Sequence, residues 1–205
     1  MRTLKRQWLR LLTHIAALLP LLVLVWDFSQ GQLTANPIQE IQLRTGRYAL
    51  TLLILSLACT PLNIVFGIRQ ILQLRPLLGL YAFVYACLHL LNFFGLDYGF
   101  NFPLVWEDFA EKRFIVAGLA AFLSLLPLAV TSTAGWVRRL GKNWGRLHWL
   151  AYSAGALAIV HFLWQVKADF TRPLIYGIVL ALLLIIRLPN VRRAIGEFRQ
   201  RLSKG

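Results

Sequence analysis

Six apolar runs, each near the length that crosses a bilayer, dominate this 205-residue chain. They cover residues 8–26, 48–66, 77–96, 114–131, 147–166 and 174–186. At about 1.5 Å of rise per residue, roughly 20 apolar residues span the hydrocarbon core. Within lipid a helix satisfies its own backbone polar groups, so runs of this kind read as helices. The pattern predicts an all-α polytopic membrane protein, a single domain over residues 1–205 folded as one six-helix transmembrane bundle. The last run is the shortest and extends a few residues either way. Charged residues are 15% of the chain, against about a quarter in soluble domains. No internal repeat or low-complexity tract is visible.

The net charge of +14 is placed asymmetrically. The termini and even-numbered connections hold Arg2, Lys5, Arg6, Arg10, Arg69, Arg75, Arg138, Arg139, Lys142, Arg146, Arg187, Arg192, Arg193, Arg199, Arg201 and Lys204. These are sixteen of the 22 basic residues, and Glu197 is the one acid among them. The positive-inside bias therefore predicts cytoplasmic termini. Basic residues that flank spans suit contact with acidic membrane lipid rather than nucleic acid. Trp8, Trp136, Trp144 and Trp149 fall at inner ends, Trp26 and Trp164 at outer ends, and Trp106 in an outer connection, as in an interfacial aromatic belt. The first run is long and lacks a small-x-small cleavage site, so it reads as a retained span rather than a secretion signal.

The outer connection 27–47 is long enough to offer a docking surface. The connection 97–113, with Trp106, Glu107, Asp108 and Phe109, reads as a short amphipathic helix on the membrane. After Arg187, the spacing of Val191, Ala194, Ile195 and Phe198 gives one apolar helix face. Pro20, Pro61 and Pro127 each remove a backbone donor from a span, and shape is the first role for all three. Cys59 and Cys87 lie inside spans with no paired-cysteine motif, so small buried roles suit them. No Asp or Glu lies inside a run, which leaves an ion-coupled transporter little to work with.

All four histidines lie in or at the ends of apolar runs: His14 in the first, His89 in the third, His148 and His161 in the fifth. A lone histidine in a span commonly serves as polar glue between helices. His89 and His161, however, lie on two outward-running spans at depths that differ by only ~3 Å. Two imidazoles at one level can clamp a haem iron from opposite faces, leaving no open position. Beside His161, Ala151, Ala154, Gly155 and Ala158 recur at helical steps and predict a slot for a flat cofactor. His148 lies about 20 Å along the helix from His161 and, on a continuous helix, points another way. It suits a second, inner site, with His14 at similar depth able to share it. Arg75, fourteen residues before His89 on nearly the same face, suits an anionic cofactor group, as does Arg146 more weakly.

The chain resembles the haem-binding membrane subunits of the bacterial periplasmic methionine sulfoxide reductase system, within the wider ferric-reductase-like transmembrane group. The carrying segments are HIAALLPLLVLVW (14–26), TGRYAL (45–50), CTPL (59–62), RPLLGLYAFVYACLHL (75–90), LAVTSTAGWVRRLGKNWGRLHWLAY (128–152), HFLW (161–164) and RPLIYG (172–177). The resemblance implies a b-type haem, with His89, His148 and His161 matching the family's histidines, and an associated FMN. It implies a place in the bacterial inner membrane. The implied partner is a soluble periplasmic molybdopterin enzyme that reduces methionine sulfoxide in oxidised proteins. Electrons would come from a cytoplasmic flavin reductase or from membrane quinol. Larger members of the group pair histidines between the third and fifth spans twice. Here the third span offers only His89, which leaves the role of His148 open between haem, flavin and neither.

About 18 residues follow Arg187, too few for a nucleotide-binding domain, and no glycine-rich phosphate loop exists. The expectation is an electron carrier fed from inside and drained outside, with no catalytic side chain of its own. Two alternatives stand beside it: a stand-alone ferric or oxygen reductase, and a non-redox transporter or assembly bundle.

Overall fold

A computed structural model describes residues 2–202, with side chains for 7–200. Lys204 and the side chains of Arg2, Lys5, Arg6 and Arg201, all counted on the inner flank, lie outside the described residues. No strand occurs among those described. The helices are α1 (Arg2–Ser29), α2 (Pro37–Phe66), α3 (Arg75–Leu91), α4 (Phe102–Glu111), α5 (Arg113–Val130), α6 (Ala134–Leu140), α7 (Lys142–Leu147), α8 (Leu150–Gln165), α9 (Thr171–Ile185) and α10 (Pro189–Leu202). A 3₁₀ turn, Arg69–Leu74, leads into α3, and a π-helical turn, Asn92–Asp97, follows it.

Five helical rods are long and apolar enough to cross a membrane: Gln7–Ser29, Pro37–Phe66, Arg69–Asp97, Arg113–Val130 and Lys142–Gln165. The sixth run is different. α9 has 15 residues, or about 22 Å, and the chain then turns by 73° into α10. Outward faces are strongly apolar: Leu22, Leu123 and Ile178 are all exposed. Such surface belongs against lipid in a multi-pass membrane protein.

The outer connection 27–47 is mostly helix rather than loop. Asn36 caps α2 by accepting the Gln39 N–H at 3.1 Å, and Pro37 supplies a first residue that needs no donor. α2 is therefore 30 residues long. Its polar outer third is held by Arg44, which bridges Asp27 of α1 and Glu40, each at 2.5 Å. The connection 97–113 does carry the expected short helix, α4. Its Asn101 caps Leu104 N–H at 3.3 Å, and Trp106 is 79% exposed.

Two helix pairs form the frame: α2 packs chiefly on α3, and α5 chiefly on α8. Between them Leu53 and Leu57, Ala82 and Tyr85, and Ala154 and Ile159 make the core, with Leu180 of α9 against it. Tyr85 is buried among them and donates its hydroxyl to Ala17 O at 2.7 Å, tying in α1. Pro61 cannot donate to Leu57 O one turn back. Arg187, beyond α9, donates to that carbonyl at 2.5 Å and also to the Tyr152 hydroxyl. A proline gap in α2 is thus filled by a side chain that pins α8 and α9 to it.

The small residues of α8 make a packing seam rather than the expected slot. Ala154 is fully buried, and a Cβ at Gly155 would sit 3.3 Å from Leu180 and 3.6 Å from Leu57. These positions let α8 approach α9 and α2. Only Ala158, one turn further out, reaches a cavity.

Candidate functional site

That cavity, of about 700 Å³, lies between the two helix pairs and carries both His89 and His161 on its wall. Its size falls within the roughly 300–1,000 Å³ usual for cofactor and ligand sites. The wall is mostly apolar, from Leu50, Leu53, Ala86, Phe122, Leu125, Ala158 and Phe162, with charged residues Arg47, Asp97, Lys112, Asp169 and Arg172 also reaching it. Both imidazoles are surrounded by protein yet keep accessible surface, because they face this space.

The two rings are 6.0 Å apart between centres, with planes at 89°. Two metal–imidazole bonds of about 2 Å laid end to end leave ring centres about 6 Å apart. The predicted match in depth is therefore met, and the separation fits one iron between the rings.

Each ring sits in a cradle built by the partner helix of its pair. His89 Nδ1–H donates to Gln42 O of α2 at 2.9 Å. His161 Nδ1–H donates to Phe114 O of α5 at 2.6 Å. A carbonyl accepts only from N–H, so Nδ1 carries the proton in both rings and Nε2 keeps its lone pair, the form a metal ligand needs. Gly46 and Gly118 each lie four residues after those carbonyls. A side chain on a helix covers the turn before it. Glycine there uncovers the carbonyl and gives the ring its seat. A Cβ at Gly46 would meet His89 Cε1 at 2.9 Å, and one at Gly118 would meet His161 Nδ1 at 2.6 Å.

The two cradles repeat. In both, the histidine lies 47 residues after the carbonyl that holds it, with glycine at the same step. No repeat was visible in sequence, because only these few positions share it. The copies differ at one point. The Gln42 amide nitrogen lies 3.3 Å from His89 Nε2, while its oxygen accepts from Asn92 at 2.6 Å. A metal at His89 must displace that long contact. Asn92 opens the π-helical turn after α3, and its own amide oxygen is buried without a partner. Among the described residues no group of three or more His, Cys, Asp or Glu could hold a metal as a cluster. The histidine pair thus fits a haem iron better than a chelated ion.

The inner candidates are arranged differently. His148 lies in the irregular turn between α7 and α8, so the fifth run is not one uniform helix. Its Nδ1–H donates to Trp144 O at 3.0 Å and its ring stacks on Trp144, centres 3.8 Å apart. Trp144 Nε1 is in turn anchored on Thr131 O at 2.9 Å. Arg75 opens α3, and its backbone carbonyl accepts from Ser56 Oγ at 2.8 Å. His14 is exposed and bonded to the Tyr81 hydroxyl at 2.8 Å. Among the described residues no hydrogen bond or ring contact joins it to His148. Arg146 is exposed.

Residues 45–160, more than half of the chain, match the family model described as the ferric reductase like transmembrane component. The protein-methionine-sulfoxide reductase heme-binding subunit MsrQ of Xanthomonas axonopodis pv. citri is 46% identical over 179 residues, covering 84% of this chain and 82% of that protein. Its namesake in Rhodospirillum rubrum is 46% identical over 186 residues, covering 90% and 89%. The chain belongs to this family.

It is thus a ferric-reductase-like protein with several membrane spans, and family membership puts it in the bacterial inner membrane. The family match runs from Thr45 to Val160, so it holds Gly46, His89, Phe114 and Gly118, begins three residues after Gln42 and stops one residue before His161. In this ferric-reductase-like bundle the histidines were legible as ligand candidates from depth alone. Gly46, Gly118 and the two carbonyls were missed. The one signal that finds them is a glycine at the same distance ahead of each histidine.

Proposed function

We propose that this chain is the haem-binding, electron-carrying membrane subunit of a methionine sulfoxide reductase system. The observation that carries the proposal is the pair of matching cradles that hold His89 and His161 through Nδ1, with rings 6.0 Å apart across a cavity and only the long Gln42 amide contact on His89 Nε2 to displace. The names of the relatives support it. His89 and His161 are the residues that would hold one b-type haem, which would supply a one-electron couple there.

The chain does the rest. The carbonyls of Gln42 and Phe114 hold each Nδ1 proton, fix the ring azimuth and raise the basicity of Nε2. Leu50, Leu53, Phe122 and Leu125 keep water from the ring faces. No side chain acts as acid, base or nucleophile.

Direction follows from the charge pattern. With both termini in the cytoplasm, His148 and Arg75 face the donor side and the His89–His161 pair faces the periplasm. His148 is the inner contact for a donor: a flavin reductase, an associated FMN, or membrane quinol. Arg75 meets that donor's anionic group, while His14 and Arg146 are peripheral. The acceptor is a soluble molybdopterin-containing enzyme of the periplasm that returns methionine sulfoxide in damaged proteins to methionine.

The test is electron delivery. Purified protein is reduced chemically and mixed with the periplasmic enzyme and a methionine sulfoxide peptide. Reoxidation that requires both enzyme and peptide is expected. A pigment indifferent to them but rapidly oxidised by ferric iron or oxygen would identify a stand-alone reductase, and a colourless protein would remove the redox role.

A further inference from the structure

We propose that Arg47 is the seat for a carboxylate of the bound porphyrin, with Arg172 as a second, more exposed contact; this rests on the haem assignment above. Arg47 lies ten residues into α2, about 15 Å along the helix from Pro37, and follows Gly46 directly, so it stands at the level of the His89 ring. It is half-buried and lines the same cavity. A cation at this depth in a span is costly without an anionic partner.

Among the described residues no acid is paired with Arg47. Asp27 and Glu40, the nearby acids of α1 and α2, are both taken by Arg44 at 2.5 Å. Lys112, which also reaches the cavity, is paired with Asp108 at 2.6 Å. Among the described residues Arg47 makes no ion pair. Its one hydrogen bond runs from Nε to Leu43 O of its own helix, at 3.2 Å. That bond holds the guanidinium and leaves both terminal nitrogens for a two-pronged partner.

Haem b has an apolar disc and two carboxylates on one edge. The apolar wall between the histidines suits the disc, and Arg47 suits the edge. Arg172, in the first turn of α9, lines the cavity too and makes no ion pair among the described residues, although the Asp169 charge is near. Asp97 and Asp169 also reach the cavity and repel carboxylates, which narrows the seat to the arginine side.

The pairing can be read from binding alone. Full-length protein freed of pigment is titrated with haem and with its dimethyl ester, for wild type, Arg47→Gln, Arg47→Lys and Arg172→Gln. Wild type should prefer the free acid by roughly tenfold or more, the scale of one charge-assisted hydrogen bond. Arg47→Gln should bind both forms alike, Arg47→Lys should keep part of the preference, and Arg172→Gln should lose less than Arg47→Gln. Undiminished preference in Arg47→Gln would overturn the inference and leave the histidine clamp standing. If Arg47→Gln does not fold, a wild type that binds acid and ester equally overturns it as well. A wild type that binds neither form would remove the haem assignment itself.

Discussion

The His89 and His161 rings, borne by different helices, face one cavity at a centre-to-centre distance of 6.0 Å with perpendicular planes. Neither helix sets this relationship alone. α2 holds one ring through Gln42 O and Gly46, and α5 holds the other through Phe114 O and Gly118.

The glycine seats give the sharpest structural prediction. Gly118→Ala places a methyl 2.6 Å from His161 Nδ1 and should push the ring off its carbonyl, at a cost of about 1–3 kcal/mol. Haem content should fall markedly. Gly145→Ala, where nothing lies within 4 Å, should leave it unchanged. Pigment quantified per chain decides between them.

His148→Ala removes the stack on Trp144 without touching the outer cavity. Reduction of the pigment from the inner donor should slow by tenfold or more, a loss of about 1.4 kcal/mol in the barrier. The optical spectrum should hardly change. Stopped-flow reduction and a static spectrum read the two effects separately, and equal loss of all pigment would show that His148 belongs to the outer site.

Arg187→Ala leaves Leu57 O without a donor and frees Tyr152. Side-chain hydrogen bonds in membranes average under about 1 kcal/mol, reaching roughly 1.7 at most, and the expected loss of stability is at the upper end. Pro61→Ala returns the missing backbone N–H. The double variant should therefore lose less than Arg187→Ala alone, measurable by denaturation in detergent.

Acid should loosen α4. Lys112, and next the Tyr98 hydroxyl, hold the Asp108 carboxyl below the usual carboxylate range. A lowered folded pKa contributes stability above the ordinary Asp value near 4, and that contribution is lost as the pH falls through the lower folded value. Protection of the α4 amides, taken relative to the intrinsic exchange rate at each pH, should fall in acid for wild type, and Asp108→Asn should show low protection at every pH.

Much of this was legible in the sequence, and the limits have physical causes. Apolar length located the rods, and counting residues put His89 and His161 at one level. The outer third of α2 was missed because Glu40, Gln42, Arg44, Thr45 and Arg47 look like a polar loop. They are helical because Asn36 and Pro37 start the helix there, and their polar groups face one another and the cavity. The Ala151–Ala158 stripe looked like a slot, since spacing cannot tell a void from a seam; Leu180 and Leu57 fill it. Arg47 carries no signal of its own in the sequence, because its lack of a partner depends on Arg44 taking both nearby acids. Gly46 and Gly118 carry no chemical signal, and their role exists only once another helix brings a ring against them.

The most direct test of the shared iron is the pigment of the two single-histidine variants. His89→Ala and His161→Ala, purified side by side with wild type, should each lose most haem absorbance, and added imidazole should restore part of it by filling the vacated position. Full, unaltered haem spectra in both variants would contradict the account.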